Sequence, residues 1–285
     1  MRLMIACVCM ASLLALLTAI LYGSGDFFGG VSSRRNSTIQ VLFTISLLGA
    51  VPLCLVAPFV ASGIDIRDWV FGSCAGISGL VGLGLLYRGL SRGPMAAFAP
   101  ISAVAATALP VLWGVLRGDE QLLRTWFGIL VGMTGVFILS MQRGAVSARV
   151  RSSVVVEALL SGVGFGLFFA LLSETSETAA PWPIVAGRTS AIGLILIVSA
   201  LRGSSLRPQG NWVALFLCAI CDTGANVAFL FALKYGQLGS VAVIASLYPA
   251  VTVLLARLIL NERLTPQRFL GVFLAVVSVL LISGA

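Results

Sequence analysis

The chain has 285 residues, 59% hydrophobic and only 10% charged, with a formal charge of +8 and no histidine. A soluble domain carries about 25% charged residues, so this chain cannot cover a globule with polar surface. A mean hydropathy of +1.07 agrees. A soluble globular protein is excluded, and the composition predicts an all-α integral membrane protein.

Apolar runs between charged or Gly/Pro-rich breaks predict ten spans, near 8–29, 38–60, 69–90, 94–116, 125–141, 154–173, 183–201, 211–233, 238–260 and 268–284. Lipid admits only helices or a closed barrel, because backbone groups there must be satisfied internally. Runs of about 20 residues without strict alternation select helices. The start, "MRLMIACVCMASLLALLTA", is superficially like a signal peptide. Its apolar run continues to Phe28 without a small-residue cleavage site, so it reads as the first span.

Within the first span, Asp26 follows "YGSG", where Gly23 and Gly25 loosen the helix or admit a close neighbour. The third span carries Gly72, Gly76, Gly79 and Gly82, a series that predicts close helix packing. Pro100 and Pro110 lie in the fourth span, and Asp119 and Glu120 in the turn after it, where capping is the expected role. Glu157 and Arg257 lie near span ends, within reach of the interface. Arg188 lies deep in the seventh span and Asp222 at the centre of the eighth. An ionised group at the bilayer centre costs at least about 2.5–3.5 kcal/mol, so both should face a cavity or a partner.

Cys218, Asp222, Asn226 and Phe229 recur at helical spacing and share one face. That face is either a polar lining for a substrate path or a structural contact to a neighbouring helix. Arg188 can pair with Asp222, Asp26, Glu174 or Glu177, or bind an anionic substrate group through its forked guanidinium. Tyr22, Tyr87, Tyr235, Tyr248 and Trp113 can line a pocket or anchor the interface. Tyr248 precedes Pro249, which frees a backbone carbonyl inside the ninth span. The six cysteines (Cys7, Cys9, Cys54, Cys74, Cys218 and Cys221) all fall in apolar runs and are expected to pack as small apolar residues; no metal or cofactor site is predicted.

Loop charge sets the orientation. Loops after odd-numbered spans hold Arg34, Arg35, Arg88, Arg92, Arg143, Arg149, Arg151, Arg202, Arg207, Arg257, Arg263 and Arg268. The other loops and the N-terminal tail hold only Arg2, Arg67, Arg117, Arg124 and Lys234. The positive-inside rule places both termini outside, in what reads as a bacterial inner membrane. These scattered arginines form no basic-aromatic block, so no nucleic-acid partner is predicted.

The halves resemble each other. "LRGDEQLLRTWFGILVGMTGVFILS" at 116–140 aligns without gaps on "ILNERLTPQRFLGVFLAVVSVLLIS" at 259–283, and "YGSGDFF" at 22–28 on "VGFGLFF" at 163–169, an offset of 141 to 143 residues. Five spans per half is an odd number, so the second half should enter the membrane inverted, an architecture of secondary transporters.

Ten spans, this repeat, and the "LNERLTPQRFLGVFL" segment with Glu262 closing the fourth span of its half resemble the EamA-type drug/metabolite transporter superfamily. In the first half Asp119 and Glu120 stand at the corresponding place. The resemblance implies two EamA-like five-helix repeats, 1–145 and 152–285, and a secondary transporter, commonly an exporter of amino acids, metabolites, nucleobase-like compounds or drugs. Arg188 matches a family arginine in the second half, whereas Ile45 to Leu47 in the first half are uncharged.

The expected function is alternating-access transport of a small molecule. Asp222, Asn226, Arg188 and Tyr248 are the candidate substrate contacts, and Asp222 and Asp26 the candidate proton carriers. The lipid bilayer is the expected environment and a homodimer a possible assembly. A lipid-linked sugar flippase is the alternative. A membrane-embedded enzyme fits less well, since no histidine and no convergent carboxylates appear to do catalytic work.

Overall fold

The computed structural model describes residues 2–33, 35–61, 63, 65–92, 95–120, 122–140, 152–260 and 265–283. In chain order the helices are α1 (Arg2–Ser32), α2 (Thr38–Val60), α3 (Ile66–Arg92), α4 (Met95–Leu116), α5 (Leu123–Ser140) and α6 (Ser152–Ser173). A short 3-10 turn, Glu177–Ala179, precedes α7 (Trp182–Arg202), α8 (Trp212–Leu233), α9 (Leu238–Ala245), α10 (Tyr248–Leu260) and α11 (Pro266–Ser283). Among the described residues six stretches are long and apolar enough to cross a bilayer: Cys7–Ser32, Thr38–Val60, Ile66–Leu86, Ser153–Ser173, Trp182–Arg202 and Trp212–Leu233. The chain is therefore an integral membrane protein. The remaining four expected spans correspond to shorter apolar helices, Ser102–Leu116, Leu123–Ile138, Leu238–Thr252 and Phe269–Ile282.

The expected ninth span is not one helix. It is broken at Ser246 and Leu247, between α9 and α10. Pro249 has no N–H to offer the carbonyl four residues back, and it fits only the first turn of a new helix. The break keeps its backbone satisfied through tighter bonds, Leu247 N to Ile244 O at 3.1 Å and Ala250 N to Leu247 O at 2.9 Å. α1, in contrast, runs unbroken through "YGSG". Its glycines admit neighbours: a Cβ on Gly23 would lie 2.5 Å from the Tyr248 carbonyl oxygen, and one on Gly25 would lie 3.4 Å from the Asp222 nitrogen.

Packing between the halves is reciprocal. α1 lies on α8 and α3 on α6; α2 lies on α7, and α5 on α11. Likewise α4 packs on α6, and α1 on α9 and α10. Lipid tails are as apolar as the helices, so association rests on close fit rather than on expulsion of water. The α3 glycines provide it. A Cβ on Gly76 would lie 2.5 Å from the Gly187 carbonyl carbon, one on Gly72 would lie 2.7 Å from Pro183 Cα, and one on Gly164 would lie 2.8 Å from Gly82 Cα.

Gly76→Val is therefore expected to lower unfolding stability by about 3 kcal/mol, because α7 presents backbone there and cannot yield. Gly84→Ala, on the same helix but with nothing within 4 Å of the added Cβ, should stabilise by about 0.5–1 kcal/mol. Unfolding in mixed micelles measures both; equal effects at the two positions would contradict the packing account.

Among the cysteines, Cys218 is buried and Cys7 and Cys221 are half-buried. Cys9, Cys54 and Cys74 are exposed, a position a weakly polar thiol tolerates against lipid. Glu262, Arg34, Arg143, Arg149, Arg151 and Arg263 lie outside the described residues, as do the side chains of Tyr87, Arg88, Arg92, Pro100, Arg257 and Arg268.

Candidate functional site

α1 to α8 and α10 surround a cavity of about 230 Å³. The residues singled out by charge, Asp26, Arg188 and Asp222, all line it, together with Asn226 and Tyr248. Most of its wall is apolar, with aromatic rings from Phe165, Phe168 and Phe169 beside Tyr22 and Tyr248. The α9–α10 break also opens here, through Ser246.

Arg188 has one charged partner among the described residues. Its Nη2 donates to Asp222 Oδ2, with side-chain exposures of 10% and 29% respectively. The same nitrogen donates to Thr223 Oγ1 at 3.3 Å. Gly49 of α2 makes room for the guanidinium, since a Cβ there would stand 3.5 Å from Arg188 Cζ and would strike Thr223 Oγ1. Of the partners open to Arg188 in the sequence, Asp222 is the one realised. Glu174 is engaged elsewhere: it accepts from Arg117 Nη2 at 2.6 Å, Arg67 Nη2 at 3.4 Å and Trp113 Nε1 at 2.9 Å. That cluster ties the ends of α3, α4 and α6 together. Beside it, buried Asp68 accepts the Ser176 N–H at 2.7 Å.

Asn226 is half of a second link. Its Nδ2 donates to the Asp222 carbonyl oxygen at 2.6 Å, and its Oδ1 accepts the Tyr22 hydroxyl at 2.9 Å. Tyr22 also meets Phe169 and Tyr248 edge-on, at 6.1 and 6.2 Å between centroids. Tyr22, one of the five aromatics singled out from the sequence, is thus the hub between α1, α6, α8 and α10. Phe229, on the predicted polar face of α8, is instead fully buried against Phe169 at 4.6 Å. Tyr22→Phe keeps the ring and removes the donor, leaving buried Asn226 Oδ1 without it. The expected loss is about 1–2 kcal/mol of unfolding free energy, read by the same micelle titration.

Asp26 differs from Asp222. It is exposed into the cavity, and among the described residues no hydrogen bond or ion pair engages its carboxylate. Arg188 is thus matched by Asp222, and Asp26 has no such cation among the described residues.

Residues 10–141 and again 152–284 match the EamA-like transporter family. The chain belongs to that family. Its relatives include a Bacillus subtilis (strain 168) protein named "Uncharacterized transporter YyaM", 32% identical over 109 residues, a match covering 37% of this chain and 34% of that protein. A Methanocaldococcus jannaschii protein named "Uncharacterized protein MJ1333.1" is 31% identical over 134 residues, which cover 46% of this chain but 96% of the relative. An Archaeoglobus fulgidus "Uncharacterized transporter" is 23% identical over 261 residues, covering 88% of this chain and 89% of that one. A solved structure described as "Crystal structure of protein" superposes with a TM-score of 0.78 at 19% identity, covering 95% of each chain, and so shares the fold. This EamA-family chain is accordingly a membrane transporter, and its cavity charges stand in a helix bundle with no soluble domain among the described residues.

Proposed function

We propose that this chain is a secondary transporter that exports a small amine-bearing molecule with an apolar, preferably aromatic, body in exchange for protons. The observation that carries this reading is the unengaged Asp26 carboxylate in a cavity walled by aromatic rings. A carboxylate without a protein cation favours a ligand cation, and the negative ring faces favour it further. Asp222 and Arg188 then serve as a fixed pair that shapes the site, with Asn226 and Tyr248 at its rim. Asp26 exchanges proton for substrate.

Alternating access is supported by the reciprocal packing of the halves. A relative matched over 96% of its own length by under half of this chain supports a five-helix unit, duplicated here as 1–145 and 152–285. The broken α9–α10 segment at the cavity suits a substrate site. The Glu174 cluster joins α3, α4 and α6 at one end of the bundle, the end that the positive-inside expectation puts outside, and supports reading this conformation as closed on that side.

Thermal melting of the purified protein with phenethylamine, tryptamine and tetraphenylphosphonium tests the class. A ligand at a hundred times its Kd stabilises by about 2.7 kcal/mol, which is a rise of several degrees. No rise with any cation, beside a rise with neutral or anionic analogues, would reject the amine reading.

A further inference from the structure

A second cavity, about 60 Å³, adjoins the first, sharing Tyr22, Asp26, Leu42, Ile45, Leu83 and Asp222 with it. Its α1 wall is Tyr22, Asp26, Gly29 and Ser33, spaced so that they share one helix face. Thr38 at the start of α2 lies at the far end, Cys218 and Asp222 of α8 form the opposite wall, and Val41, Leu42 and Ile45 of α2 with Leu83 of α3 complete the lining. From Asp26 to Ser33 the helix rises about 10 Å. The volume holds about four waters, each needing polar partners. Asp26 and Asp222 supply these at one end, and the Ser33 and Thr38 hydroxyls at the other. Between the two ends the wall is slim because Gly29 has no side chain; a Cβ there would stand 3.3 Å from Cys218 Sγ. The outer end lies beside a fixed turn. Asn36 Nδ2 donates to Gly210 O at 2.9 Å and Asn36 Oδ1 accepts Gln209 N at 2.6 Å, tying the α1–α2 turn to the α7–α8 loop.

We propose that this smaller cavity is a water-filled proton path from the α1–α2 turn to Asp26, where it adjoins the substrate cavity. The proposal rests on the reading of Asp26 as the proton carrier. The titratable and charged groups around Asp26 are Tyr22 on α1, Asp222, Cys218 and Cys221 on α8, Arg188 on α7 and Tyr248 on α10. Arg188 is held by Asp222, and Tyr22 by Asn226, so water arriving along this path meets Asp26 as the open carboxylate. With substrate filling the larger cavity, the second path leaves Asp26 in contact with bulk protons. Exchange then occurs at one carboxyl reached from two directions.

Silver ions, small enough for a narrow aqueous path, test this in a cysteine-free background that carries single thiols. Ser33→Cys, Thr38→Cys and Asp26→Cys, each reconstituted in liposomes, should be blocked against later maleimide labelling about a hundredfold faster than Cys54 retained alone, which lies on the outer face of the apolar helix α2, outside both cavities. Gly29→Leu, which fills the path, should slow reaction at Asp26→Cys at least about tenfold without slowing it at Thr38→Cys. Leu80→Trp, which fills only the larger cavity, should leave Asp26→Cys unaffected. Thiols along the path reacting as slowly as Cys54, or slowing at position 26 with Leu80→Trp but not with Gly29→Leu, overturns the proposal. These readouts need no substrate. Failure of the path thus stays distinct from failure of proton coupling, which appears only in transport.

Discussion

Asp222→Ala is expected to cost this protein about 3–5 kcal/mol of stability, more than Arg188→Ala, although both remove the same ion pair. The asymmetry follows from chemistry. A carboxyl group stripped of its cation has a neutral form open to it, and a guanidinium does not. Arg188 is also the more deeply placed partner, at 10% side-chain exposure against 29% for Asp222. Arg188→Ala should therefore cost less, about 2–3 kcal/mol. The double variant should recover most of the loss, because no charge is then left alone. Thr223 offers Arg188 only a hydroxyl, which cannot replace the carboxylate. Unfolding titrations of the two single variants and the double one form a complete cycle. Additive losses would show that the contact carries no coupling, and the pair would then lose its standing as the element that joins α7 to α8.

The pair shows where sequence reasoning reached and where it stopped. Position alone picked out Asp222, central in an apolar run, and Arg188, the deepest cation. Pairing was not legible, because Asp26, Glu174 and Glu177 were open to Arg188 on equal terms. The choice is made by helix placement: α2 offers Gly49 to seat the guanidinium, while Arg67 of α3 and Arg117 in the turn after α4 occupy Glu174. Tyr22 shows the converse. A tyrosine in an apolar run reads as packing or anchor, and its role at the site depends on Asn226, 204 residues away. Gly23 and Gly25 were legible in kind, as sites of close approach, although the neighbours they admit, α10 and α8, were not. Pro249 announced a disturbance in its span, and the structure turns it into a full break two residues upstream, at Ser246 and Leu247.

Asp26→Asn should abolish transport driven by a pH gradient while changing stability by less than about 0.5 kcal/mol. The second half follows from geometry. Asp26 is exposed into the cavity and engaged by no described partner, so its removal breaks no bond. The first half follows from its being the open carboxylate at the junction of the two cavities. An amide cannot carry a proton, nor can it supply the negative charge that holds a cation. Two losses are therefore expected together: the melting shift with the best-binding amine, and its uphill movement in liposomes under an imposed gradient, by about tenfold or more. Asp222→Asn separates the roles. Its amide oxygen still accepts from Arg188, so it should keep a measurable melting shift and, if it folds, a flux that still responds to the gradient. Gradient-driven flux that survives in Asp26→Asn and vanishes in a folded Asp222→Asn would exchange the roles assigned to the two aspartates. Asp222 would then carry the proton, and its bond to Arg188 would have to open in every cycle.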